Sequence, residues 1–233
     1  MKQLTLSQEF TVKGKGLHTG LEITATFKPA PENHGIKFKR IDLEGQPVVD
    51  ALAENVVATS RGTVIARGET RVSTIEHSMA ALYGLGVDNC LIEVNAPEMP
   101  ILDGSAAVYA DMIAKAGLTE LKADKDYYRV KSKIEVHDDD TGASIVVLPS
   151  DHLSLDVMVS FNSPVLANQY ATLESTDRFV EEIAPSRTFV FVREIEPLVQ
   201  NNLIKGGDLD NAIVIYDLSL IHISEPTRLR CIS

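Results

Sequence analysis

Leu21, Ile23, Ala25 and Phe27 alternate with Glu22, Thr24, Thr26 and Lys28, and no other feature narrows the fold as much. A period of two is the signature of a strand with one wet face and one buried face, so this run demands a covering layer. The pattern returns without a fault at Leu153, Leu155, Val157, Val159 and Phe161. Two such runs, far apart in the chain, predict two half-buried sheets. Gly14 and Gly16 break an earlier strand-like segment, residues 3–15, and Pro29, Pro31, Asn33 and Gly35 separate the first run from a strand at Ile36 and Phe38. Further strands are expected over 55–59, 63–67, 70–72 and 89–95.

The helices are fewer. A helix is expected over Ser73 to Gly86, with Ile75, Met79 and Leu82 on one face, Ser73 as N-cap, Glu76 completing a capping box and Gly84 as the stop. A second runs from about Ala106 to Ala116, capped by Asp103 or Ser105 and ended by Gly117. The charged stretch 119–126 lacks periodicity and is read as a domain boundary, giving a first domain over 1–122 and a second over 127–217. In the second, strands are expected over 127–136, 143–148, 187–191 and 212–216, and helices over 177–183 and 194–203. The aspartates of HDDDTG read as a hairpin tip, because the ligand spacing of a calcium loop is missing. Each half thus combines an antiparallel sheet with two helices, and the expected class is α+β in two similar two-layer sandwich domains.

The chain has 233 residues and a formal net charge of −11, which argues against a broad nucleic-acid footprint or a polybasic membrane anchor. Cys90 and Cys231 form no disulfide framework and no zinc-binding pair motif. No leader and no membrane-spanning run is read, so a cytoplasmic location is expected. Residues 218–233 (LSLIHISEPTRLRCIS) are basic and without period. They resemble a translated sequencing-adapter tail and are read as non-native, so His222 and Cys231 carry no functional weight.

Glu76 and His77 are adjacent in the first turn of an expected helix. Such a pair can hold a metal and activate its water. It can equally be a capping carboxylate beside a hydrogen-bonded, half-buried histidine, since one histidine does not make a metal site.

Six motifs weigh on that choice: GLHTG (Gly16 to Gly20), RGT (Arg61 to Thr63), STIEH (Ser73 to His77), GLGVDN (Gly84 to Asn89), EVNAPEMPILDGSA (Glu93 to Ala106) and SRTFVF (Ser186 to Phe191). In this order and spacing they resemble the UDP-3-O-acyl-N-acetylglucosamine deacetylases, zinc amidases of the lipid A pathway of Gram-negative bacteria. The segment GGDLDNAIVIYD (Gly206 to Asp217) is most similar to the Bacteroides-like version, often fused to a downstream 3-hydroxyacyl-carrier-protein dehydratase. The resemblance implies Zn2+ as cofactor, His77 as one zinc ligand and Glu76 as general base on the zinc-bound water. It implies Thr188 as a hydroxyl that supports the oxyanion, and Phe189 and Phe191 as aromatics bordering the sugar and acyl site. Residues 193–215 match a β-α-β insert that forms an apolar passage for the acyl chain, with Ile195, Leu198 and Leu203 on one wall. His18 lies near the site without being a main ligand, and Asp103 closes a turn beside it. The implied substrate is a UDP-linked, 3-O-acylated N-acetylglucosamine.

The family takes two more zinc ligands from a later H-K-x-x-x-D-x-x-G-D helix and a further histidine as general acid, none found in this sequence. A chain so composed is expected to bind zinc poorly and to turn over slowly or not at all. Two rivals stand beside the enzyme reading. One is a non-catalytic binding or scaffold module that keeps the fold. The other is a hydrolase that uses Glu76 and Asp103 as paired carboxylates.

Overall fold

The computed structural model describes residues 1–161, 163 and 165–216; the tail over 218–233 lies outside them, as does Asp217. The first half runs β1 (Lys2–Leu6), β2 (Phe10–Lys15), β3 (Glu22–Pro29), β4 (Ile36–Arg40), β5 (Val48–Asp50), β6 (Val56–Ala58), β7 (Val64–Arg67), β8 (Thr70–Val72), α1 (Glu76–Gly84), β9 (Cys90–Val94), α2 (Ala107–Ala116) and β10 (Leu118–Asp124). The second runs β11 (Ile134–His137), β12 (Ser144–Val147), β13 (Leu155–Val159), β14 (Gln169–Leu173), α3 (Phe179–Glu182), β15 (Phe189–Phe191), α4 (Val192–Gln200) and β16 (Ile213–Ile215). Each half mixes strands with two helices, and the α+β class holds.

The main sheet has the order β2-β3-β9-β4-β5, antiparallel except for the parallel pair of β4 and β9. Its register places Phe10, Phe27, Ile92, Phe38 and Val49 opposite one another in a single row across five strands. All five are buried, and Phe10 stacks on Phe27 with ring centroids 4.7 Å apart. A one-residue slip of any strand would turn its member of the row toward water, so this row fixes the pairing. Helices α1 and α2 cover the row, contributing Leu82, Tyr109 and Ile113 to the same core. Leu21, the first residue of the alternating run, precedes β3 and is half exposed; burial starts at Ile23.

Three local expectations need correction. The stretch 119–126 is largely strand: β10 pairs antiparallel with β1, from Leu6 and Leu118 to Lys2 and Asp124. Its charged side chains face water, which masks a strand that has only one buried edge partner. Short β5 and β14 were also missed by pattern reading. Finally, Ser73 does not cap α1. Its backbone pairs with Pro97 and Met99 and its hydroxyl donates to the Pro97 carbonyl, so the sheet claims it and the helix starts at Glu76 with no side-chain cap. Gly84 is the last residue of α1 rather than its stop. A β-carbon there would run into the Phe179 ring, so this glycine permits α3 to dock.

Neither Asp103 nor Ser105 caps α2: Ala106 holds the N-cap position with no side-chain cap, and the two polar residues instead close the turn that leads into it. Asp103 accepts from the Ser105 N–H and hydroxyl, and the Ser105 oxygen accepts from the Ala107 N–H. Gly117 ends the helix at φ 72°. In the second half, β11–β12 and β13–β14 are antiparallel hairpins and β15–β16 a parallel pair; the strand expected over 127–136 forms only at its end, because β11 has a partner in β12 only from Ile134, opposite Val147. The HDDDTG segment is the turn of the first hairpin, with Asp138 accepting from the Asp140 N–H. Phe179 and Ala184 reach across into the first half's core.

Candidate active site

Glu76 and His77 open α1, and three loops converge on them. The first carries Arg61 to Thr63: the Thr63 N–H donates to Glu76 Oε2 at 2.9 Å. The second is GLHTG, held by Glu98, a fully buried carboxylate that pattern reading passed over. Glu98 accepts from the N–H groups of His18 (2.8 Å) and Thr19 (2.9 Å) and from the hydroxyls of Thr19 (2.7 Å) and Thr74 (3.1 Å). Four donors satisfy a buried charge without a cation. Because Thr74 stands two residues before Glu76, in a left-handed conformation with φ 56°, the same carboxylate fixes both the histidine loop and the approach to α1. Only the burial exposes this role; a lone glutamate in EVNAPEMP looks like any other in the sequence.

The third loop is the turn over 102–106, which joins the second half to the first. The Thr188 N–H donates to the Gly104 carbonyl at 2.7 Å and its carbonyl accepts from Ile213 at 2.9 Å. Arg187 Nε donates to the Asp103 carbonyl, and Arg187 Nη2 to the carbonyls of Leu209 and Asp210. Gly104 has φ 79°, and a β-carbon there would collide with the Asn211 carbonyl, so the close approach of the two halves requires glycine. Held on both sides, Thr188 brings its Oγ1 to 3.5 Å from His77 Nε2. Residues 111 positions apart meet at this point.

The electrostatics favour a neutral imidazole. Burial pushes the pKa of His77 down, against the opposing pull of Glu76 and Asp103. The deprotonated ring is the form that binds metal. Among the described residues, however, no group of three or more His, Cys, Asp or Glu side chains is placed to hold a metal. The described residues therefore do not assemble the three protein ligands that catalytic zinc takes.

The remaining candidates sort by position. His18 Nε2 donates to the Arg61 carbonyl at 2.9 Å, leaving Nδ1 a buried acceptor without a partner among the described residues. Asp103 closes its own turn through Ser105, as expected of a structural residue. Phe189 and Phe191 meet edge to face at 5.9 Å, and both contact Phe161. Phe191 and Leu198 are buried, while Ile195 and Leu203 are half-buried. Cys90 is fully buried and its thiol is pushed up to about 12 by that burial, so it is inert packing. No helix among the described residues is long and apolar enough to cross a membrane.

A sequence profile of the family UDP-3-O-acyl N-acetylglycosamine deacetylase matches residues 3–231. The chain is 61% identical over 217 residues to the bifunctional enzyme LpxC/FabZ of Bacteroides thetaiotaomicron, covering 93% of this chain and 47% of that protein. Identity to the protein of the same name from Porphyromonas gingivalis is 59% over 216 residues, with the same coverage. To the UDP-3-O-acyl-N-acetylglucosamine deacetylase of Myxococcus xanthus it is 43% over 221 residues, 94% of this chain and 70% of that protein. The chain spans about half the length of the fused relatives it matches. It belongs to the UDP-3-O-acyl N-acetylglycosamine deacetylase family.

Proposed function

We propose that this chain is part of a zinc-dependent amidase that removes the N-acetyl group from UDP-3-O-(3-hydroxyacyl)-N-acetylglucosamine, in the cytoplasm, in lipid A biosynthesis. The observation that carries the reading is the meeting of His77 and Thr188 beside Glu76, because amide hydrolysis needs a base and an oxyanion donor on opposite sides of one carbonyl. Zn2+ is the proposed cofactor, with His77 as one ligand. Bound there, such an ion supplies Lewis acidity toward water and carbonyl.

The chain's own groups take these roles. Glu76 is anchored through one carboxylate oxygen by the Thr63 N–H, which leaves the other free to take a proton from water. The water oxygen then bonds to the acetamide carbon, and the carbonyl electrons move to oxygen. Thr188, fixed through both backbone groups, donates its hydroxyl to that oxyanion. As the oxyanion re-forms the carbonyl, the C–N bond breaks and the proton that Glu76 took passes to the leaving nitrogen, giving the free amine and acetic acid, which ionises to acetate. Phe189 and Phe191 flank the sugar and acyl groups, and Ile195, Leu198 and Leu203 line the apolar passage. His18 and Asp103 shape the surroundings without touching the reacting atoms. The fused relatives support a 3-hydroxyacyl-carrier-protein dehydratase as a further domain of the same polypeptide.

Acetate release from the UDP-linked substrate, measured with bound zinc on the whole polypeptide of which this chain is part, tests the proposal. Turnover that falls by about 100-fold or more in both Glu76→Gln and Thr188→Val supports it. Turnover that survives a strong chelator and the Glu76→Gln change contradicts it. Substrate binding with no acetate release in any form favours the scaffold reading.

A further inference from the structure

Arg61 stands at a junction that the proposed chemistry does not use. Its φ of 63° puts a long, β-substituted residue in the left-handed region, a strain that a free surface loop would relax away. It is held on two sides. Its carbonyl accepts from His18 Nε2 at 2.9 Å, and its guanidinium donates to Glu194 Oε1 at 2.9 Å. Glu194 uses its other oxygen to accept from the Phe191 N–H at 3.2 Å, closing the first turn of α4. Two residues beyond Arg61, the Thr63 N–H holds Glu76.

The path from helix to carboxylate is therefore short and almost continuous. It runs from the first turn of α4 through Glu194 to Arg61, then along two peptide units to Thr63 and Glu76. An ordinary exposed ion pair contributes little because both side chains can wander. Here Glu194 is fixed by a backbone N–H, and Arg61 by a strained backbone that His18 clamps. The Arg61 guanidinium also holds the Glu194 carboxyl below its ordinary range, so the pair stays charged at neutral pH. Ile195 and Leu198 lie on the same helix, with Leu198 buried.

We propose that Arg61 is a positioning residue that locks α4 to the loop holding Glu76, so that an acyl chain seated against α4 is felt at the carboxylate. This rests on the reading of α4 as a wall of the acyl passage and of Glu76 as the base. Such a link would let the correct acyl chain set the base, a use of remote binding energy for orientation at the reacting centre. It also explains why an arginine occupies a backbone conformation suited to glycine or asparagine.

Backbone amide NMR of this chain, titrated with a long-chain 3-hydroxy fatty acid below its micelle concentration, tests the link without requiring turnover. In the unsubstituted chain the Leu198 and Thr63 amides shift together, with one midpoint. In Arg61→Met the Leu198 shift persists and the Thr63 shift disappears, while Arg61→Lys retains both. Glu194→Gln, which removes the acceptor charge without touching the strained loop, gives the same decoupling and covers a failure of Arg61→Met to fold. A Thr63 shift that survives in Arg61→Met or Glu194→Gln overturns the proposal, as does a Leu198 shift with Thr63 unmoved in the unsubstituted chain. If Leu198 itself does not respond, the passage reading falls and the proposal falls with it.

Discussion

The strands β3 and β13 look alike on paper and behave differently. In β3 the apolar members Ile23, Ala25 and Phe27 are fully buried beneath α1 and α2. In β13 Leu155 and Val157 keep 46% and 45% of their surface, and Met158 on the opposite face keeps 72%. Tyr170, opposite Met158 on β14, is half exposed as well, as is Val146 of the neighbouring hairpin. Alternation therefore announces a strand and an orientation, but burial depends on what arrives to cover the apolar face. In the first half two helices arrive. Among the described residues of the second half, Phe179 and Ala184 are buried in the first half's core, whereas Leu173, Phe191, Leu198, Ala212 and Ile215 are buried outside it.

The sharpest way to break this contrast is a pair of substitutions. Phe27→Ala removes the centre of the cross-sheet row and is expected to cost about 3–5 kcal/mol in chemical denaturation. Val157→Ala in the same protein is expected to cost less than about 1 kcal/mol. Equal costs would mean that β13 is as buried as β3. Next in size, Glu98→Ala strips the acceptor from four donors and is expected to destabilise by about 3 kcal/mol, with protease sensitivity appearing first in the GLHTG loop. Gly84→Ala forces a β-carbon against Phe179 and is expected to cost about 1–3 kcal/mol. Amide exchange should then quicken in α3 and leave β11 and β12 unchanged.

The smallest effect is that of pH, and three pairs of the first half illustrate it. Arg40 holds the Asp42 carboxyl below its ordinary range, Lys37 does so for Asp50, and Lys28 with Lys39 for Glu93. Groups with depressed folded values bind fewer protons in the native state, so their contribution is complete above the unfolded carboxylate range of about 4. It is lost as pH falls below that range. All three carboxylates are partly exposed, so the loss is expected to be modest and to shrink further in high salt. Urea midpoints measured from pH 6 downward check it. A midpoint that rises on acidification would contradict the sign.

What the sequence made legible follows from which interactions are local. The alternating run of β3, the Gly117 stop and the turn at HDDDTG depend on neighbours within a few residues, and they fall where the local pattern puts them. The start of α1 was misplaced because Ser73 is captured by Pro97 and Met99, partners more than twenty residues away. The site shows the same division. Glu76, His77 and Thr188 were legible through motif resemblance, yet Glu98 and Arg61 acquire their roles only when loops distant in sequence converge. A buried glutamate with four donors and an arginine clamped from both sides leave no periodic trace.

The central claim is that the two halves meet at one site, with Thr188 against His77. Long-range nitrogen–proton NMR of the histidine side chains, compared between the unsubstituted chain and Thr188→Val, tests it most directly. The account predicts that the His77 ring resonances move while those of exposed His137 stay in place. His77 resonances that ignore the substitution would show that the halves do not meet there, and the proposed amidase site would lose its foundation.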